Sequence, residues 1–139
     1  MPQRRIYYTG CFFGAIAVII LALAAHYLEG KLTTKQLQAV KTGAEIQLIH
    51  ACLIILFASG TTKLNPVKLQ RGLWILIAGI SCFSFSIYLL SVRDLINLPV
   101  LKFLGPVTPL GGLLIISAWF IFISAFSSKS VTYEGNPKL

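Results

Sequence analysis

Within the apolar stretch Gly43–Ser59 stand a carboxylate, an amide and an imidazole, Glu45, Gln47 and His50, and nothing ionisable follows them. Gly43, Gln47 and His50 are spaced i, i+4 and i+7, which on a helix is one face. The glycine makes room there, and the two polar side chains look the same way. An imidazole titrates near neutral pH and serves as proton relay, general base or metal ligand. Acid–base catalysis by this group would need Glu45 to work with His50, but residues five apart turn away from each other on an ideal helix. The chain has no G-x-S-x-G, no H-E-x-x-H, no phosphate-binding glycine loop and no serine placed beside a base. It therefore reads as a non-enzyme.

Four further residues belong with this group. His26 closes the first apolar run, Ser84 and Tyr88 lie on a polar stripe Ser81–Ser84–Tyr88–Ser91 in the third, and Thr108 opens the fourth. Several chemistries are open to such a set. Neutral imidazoles can tie helices together through hydrogen bonds to Gln47, Tyr88 or a carbonyl. Two histidines at one depth could bind a haem or share a transition metal, although two imidazoles make a thin metal site, and neither metal nor cofactor is expected. A proton or solute path is the third reading, with no acidic residue in the central part of any span to support it. Thr108, Gly111 and Gly112 at a helix start could hold an anion such as a lipid phosphate, or simply cap and pack. The three cysteines, Cys11, Cys52 and Cys82, sit in separate apolar runs without ligand spacing and read as small hydrophobes.

The elements that must position these residues are set by composition. With 56% hydrophobic and 12% charged residues, and a mean hydropathy of +0.81, the chain has to use lipid as part of its solvent. Its net charge of +8 is spread between apolar runs as flanking Lys and Arg, which anchor helix ends at headgroups; nucleic acid is not an expected partner. Four spans follow: Ile6–Leu28, Gly43–Ser59, Leu73–Ser91 and Pro109–Phe126, with a polar tail from Ser127 to Leu139, all in one membrane domain. The first is long enough to be a span rather than a cleaved signal, and its Gly10 and Gly14, with a face of Cys11, Ala15, Ala22 and His26, would let another helix approach closely. Thr33 with Gln36 fits a capping box, so that the second helix has an interfacial opening from Thr34. The basic loop Ala58–Gly72 connects the second and third spans. The segment Leu95–Gly112, broken by Pro99, Pro106 and Pro109, reads as an interfacial or re-entrant element, and Thr108–Pro109 within it as N-cap and first residue of the last helix.

Lys and Arg number seven on the side of the termini and five on the other, which orients both termini to the cytoplasm. In that arrangement His26, Gln47, His50, Ser84, Tyr88 and Thr108 are expected to converge near the opposite, outer end. The pieces AAHYL (Ala24–Leu28), TGAEIQLIHA (Thr42–Ala51), FSFSIYLL (Phe83–Leu90) and LGPVTPLGG (Leu104–Gly112), followed by Trp119, resemble the YgdD/YwdK-type family of small integral membrane proteins. That family is uncharacterised and has a mammalian transmembrane counterpart. The resemblance implies a four-helix membrane protein and brings no established activity. The expectation is an all-α bundle of four transmembrane helices in a cell membrane, a bacterial inner membrane foremost. Its role would be structural or accessory, its polar cluster fixing helix packing or binding a lipid, a partner membrane protein or a second copy. A small transporter or channel is the alternative, and a haem- or metal-binding redox protein stands behind it.

Overall fold

Local signals place the helix ends. Thr33 is extended, its hydroxyl accepts from the Gln36 amide at 3.3 Å, and the Gln36 side chain accepts in return from the Thr33 amide at 3.0 Å. This is the expected capping box, and such caps contribute on the order of 1 kcal/mol. Asn65 caps the next helix by accepting from the amides of Val67 and Lys68, with Pro66 at the first helical position, where a missing N–H costs nothing. Gly30, at φ +79°, makes the turn after the first helix in a conformation other residues adopt only with strain.

The computed structural model describes residues 2–59 and 64–127, and within them the chain is all-α. The elements are α1 (Pro2–His26), α2 (Thr34–Ala58), α3 (Pro66–Val92), a short 3-10 segment (Pro99–Leu104) and α4 (Val107–Ser127). Lys63 and residues 128–139, which carry the rest of the basic connector and the polar tail, lie outside the described residues. The stretches Arg4–His26, Thr34–Ala58, Pro66–Val92 and Pro99–Phe126 are long and apolar enough to cross a membrane. Their outer surfaces agree with that solvent: Phe120, Ile123 and Phe126 are all more than 60% exposed. The helices begin earlier than the sequence spans do, because capping residues and basic first turns extend them beyond the oily runs.

Successive helices pack antiparallel, α1 on α2, α2 on α3 and α3 on α4. Glycines set the closest approaches. A Cβ added at Gly10 would lie 2.9 Å from Ile55 Cγ1, and one at Gly79 would lie 2.9 Å from the Ile115 amide nitrogen. The side of α1 that packs carries Ile6, Gly10, Ala17 and Ala24; the expected face of Cys11, Ala15, Ala22 and His26 is exposed instead. The glycine pair does make the contact, but residue 11 is turned about 100° from residue 10 on a helix, and the stripe through Cys11 turns outward with it. At the terminal end of the bundle the four helices share a packed core that includes Ile6, Ile54, Leu73, Leu76, Ala118 and Phe122. Toward the other end α1 and α3 do not close on each other.

Candidate functional site

The space between α1 and α3 is a cleft of about 630 Å³. Its walls are Phe12, Phe13, Ile16 and Ile20 from α1 and Ile80, Cys82 and Phe85 from α3; Leu104 and Val107 bound its far end. Gln47, Ser84, Ser86 and Tyr88 supply the polar part of the lining, together with Ser81, and among the described residues no ionisable acid or base of the Asp, Glu, Lys, Arg or His type takes part.

Gln47 is the centre of this polar group because α2 lies between α1 and α3 and turns one small-residue face to both. Only 5% exposed, its amide nitrogen donates to the Phe13 carbonyl at 2.8 Å and its amide oxygen accepts from the Tyr88 hydroxyl at 3.0 Å. One side chain thus ties three helices. Gly43, a turn earlier, leaves room for Tyr88 and Ile87 to approach: an added Cβ would stand 3.1 Å from Tyr88 Cε1. The buried Ser84 hydroxyl donates to the Gly43 carbonyl at 3.1 Å. Because that proton goes to a carbonyl and not to a base, Ser84 is not activated as a nucleophile. Unspent capacity remains at the cleft: the second N–H of Gln47 and lone pairs on Tyr88 and Ser84. These are neutral groups, suited to a hydroxyl, ester or amide and not to an ion.

Thr108 belongs to a neighbouring pair, its hydroxyl 2.7 Å from that of the buried Ser86. It is not the N-cap: α4 starts at Val107, one residue earlier, so Pro109 stands within the first turn, where its missing N–H is still harmless. His50 is buried on the α4 side. Its Nδ1 lies 2.7 Å from the Ile46 carbonyl, and its Nε2 faces the Trp119 indole nitrogen at 3.4 Å. An indole N–H can only donate, so Nε2 accepts and the ring proton sits on Nδ1, donating to Ile46. Both ring nitrogens are therefore engaged.

His26 does not join the group. It is exposed at the end of α1, beside the turn that leads into Thr34, whereas His50 lies about 24 Å along α2 from that start at 1.5 Å per residue. The expected convergence at one outer depth is therefore corrected. Gln47 is bonded to Phe13, in the middle of α1, so the network lies well inside the bundle. The reason is the extra length of α2 before Gly43, which pushes Gln47 and His50 downward relative to His26. A haem or metal shared by the two imidazoles is ruled out by this separation and by the occupied nitrogens of His50. Among the described residues no three His, Cys, Asp or Glu side chains gather as a metal site. Sequence reasoning missed Ser86, Trp119 and the Phe13 carbonyl; a serine two residues from Ser84 sits off the i, i+3, i+7 stripe, and a backbone acceptor leaves no mark in sequence.

Comparison with known proteins gives a consistent answer. Residues 20–112 match the family described as protein of unknown function (DUF423). The chain is 35% identical over 117 residues to the UPF0382 membrane protein YwdK of Bacillus subtilis (strain 168), covering 84% of this chain and 90% of that one. It is 36% identical over 104 residues to the UPF0382 membrane protein SH2409 of Staphylococcus haemolyticus (strain JCSC1435), covering 73% and 78%. It is also 36% identical over 118 residues to the UPF0382 membrane protein SAB0533 of Staphylococcus aureus (strain bovine RF122 / ET3-1), covering 84% and 89%. No solved structure matches it. With four apolar helices of spanning length and relatives that are named membrane proteins along most of their length, the chain belongs to the DUF423 family of small four-span membrane proteins of unknown function.

Proposed function

We propose that this protein is a non-enzymatic accessory protein of a bacterial cell membrane that holds a lipid with an uncharged polar group in the cleft between α1 and α3. The observation that carries the reading is the lining: about 630 Å³ of largely apolar space with neutral hydrogen-bonding groups at Gln47, Ser84 and Tyr88. That volume falls in the usual range of ligand pockets, roughly 300–1,000 Å³. Hydrocarbon suits the phenylalanine and isoleucine walls, and a hydroxyl or carbonyl on the lipid can take the unspent N–H of Gln47. The Gln47 network serves the same role from behind, holding the walls of the cleft in register.

The test is lipid retention by the purified protein. After reconstitution with an equimolar mixture of dioleoylglycerol, dioleoylphosphatidylcholine and dioleoylphosphatidylglycerol, native mass spectrometry should find dioleoylglycerol bound in preference. Ser81→Trp, which fills the cleft from a position whose hydroxyl bonds only its own helix at Ile77, should lower retention about tenfold without loss of helical content. Equal lipid retention in the two proteins would overturn the proposal.

Both termini are placed in the cytoplasm, supported by the excess of Lys and Arg, seven against five, on the terminal side. A fluorescent protein fused after Leu139 should then fold and emit, and a periplasm-dependent phosphatase fused at the same point should stay inactive; an active phosphatase would reverse the orientation.

A further inference from the structure

Glu45, expected from the apolar run Gly43–Ser59 to stand at the start of a span, is instead the one acidic side chain within the central part of a described helix, because α2 begins at Thr34, and it is out of place in a monomer. It is exposed, and it makes no hydrogen bond or ion pair with any described residue. Its depth can be read from its neighbours. Two residues before it, Gly43 lies against Tyr88; two residues after it, Gln47 is bonded to Phe13 in the middle of α1. Glu45 itself stands about 17 Å along α2 from Thr34. At that depth acyl chains offer no hydrogen bond, and a carboxyl group in either protonation state is left with an unmet polar demand.

The exposed face that carries it is regular. Gln38, Thr42, Glu45, Ile49, Cys52 and Leu56 are all exposed and follow one another at spacings of four, three, four, three and four. That is the seam of a heptad repeat, the pattern by which two helices pack along their whole length. The bundle itself does not use it: the buried residues of α2, among them Val40, Gly43, Ala44, Gln47 and Ala51, occupy the opposite side. A cover for this seam must bring hydrogen-bonding groups to the levels of Gln38, Thr42 and Glu45 and apolar ones to the levels of Ile49, Cys52 and Leu56. The same helix in the same orientation has that vertical order.

We propose that two copies of this protein, related by a twofold axis along the membrane normal, pair through α2 along this seam. Polar tiers then meet polar tiers, and the Glu45 carboxyl group hydrogen-bonds to its counterpart or to Thr42 of the second copy. The lower half of the seam is closed by Ile49, Cys52 and Leu56. A twofold interface of this kind is self-complementary by construction, and polar side chains that bond across helices are an established means of joining them in lipid.

Cys52 makes the pairing directly testable in membranes, since two cysteines bridge only when their Cα atoms come within about 7 Å. In the full chain carrying Cys11→Ser and Cys82→Ser, copper phenanthroline should convert most of the protein to a disulfide dimer through Cys52. Moving the thiol along the seam, with Cys52→Ser and Ile49→Cys, should give the same product. Moving it to the lipid-exposed surface of α4, with Cys52→Ser and Ile116→Cys, should give at least tenfold less. Dilution of fluorescently labelled protein into excess lipid should show Glu45→Leu dissociating at least tenfold more readily than the unmodified chain. Cross-linking through Cys52 no faster than through Ile116→Cys would overturn the interface. A Glu45→Leu dimer as stable as the parent would overturn the part given to the carboxyl group.

Discussion

Gly111→Ala is expected to cost about 3 kcal/mol of stability, near the top of the range for overpacking, and to lower the thermal midpoint of the detergent-solubilised protein by several degrees. The magnitude follows from what the new methyl group meets. An added Cβ at Gly111 would run into the backbone nitrogen of Phe83 and lie 2.8 Å from its Cα and 2.9 Å from the Gly79 carbonyl oxygen. Backbone cannot swing aside as a flexible side chain can, so α3 and α4 must separate, and the close contact of Gly79 with Ile115 opens with them. Gly112→Ala is the matched control. Its Cβ would find only the Phe83 ring, at 3.9 and 4.0 Å, which is ordinary contact. There the better helix propensity of alanine, up to about 1 kcal/mol, should leave the protein as stable or more so. Equal melting curves for the two variants would show that α3 and α4 do not meet as described.

Gln47→Leu is expected to cost about 2 kcal/mol and to loosen α1 selectively. The substitution keeps the volume but removes both interhelical bonds, from the Gln47 amide to Phe13 and from the Tyr88 hydroxyl to Gln47. Interhelical hydrogen bonds in membranes contribute on average about 0.6 kcal/mol and at most about 1.7, so two lost together with a stranded tyrosine hydroxyl account for the figure. Tyr88→Phe removes one of the two bonds and should cost about half as much. Because the two side chains share that bond, the double variant should be less damaged than the sum of the singles. Hydrogen exchange of the α1 amides around Phe13 should rise more than that of α4; a uniform rise across the helices would show that Gln47 is not what holds α1.

Much of the architecture was legible in the residues. The four spans are forced by long apolar runs that no other solvent accommodates, and the start of α2 by the reciprocal Thr33–Gln36 cap. The glycine of the Gly43–Gln47–His50 face was correctly read as making room, because helical spacing fixes which side chains share a face whatever the surroundings. The grouping of Gln47, Ser84 and Tyr88 followed from antiparallel order and the same spacing rule. What failed was depth. Counting from the first oily residue of each span placed His26, Gln47 and His50 level with one another, yet α2 starts nine residues before Gly43. A polar first turn still belongs to the rigid rod and adds its full rise to it.

Sequence by itself thus determined the membrane class, the number of helices and which side chains share a helical face, since all of these follow from local hydropathy and a fixed helical period. Only the tertiary structure decided which faces meet. Rotation of α1 about its own axis turned Cys11 and His26 outward; the vertical offset of α2 gave His50 to Trp119 and Gln47 to Phe13; and incomplete closure of α1 on α3 left a cleft with neutral polar groups in its lining. Rotation, offset and closure are set by close packing between helices far apart in the chain, where a few glycines and one amide select among arrangements that local composition leaves equal.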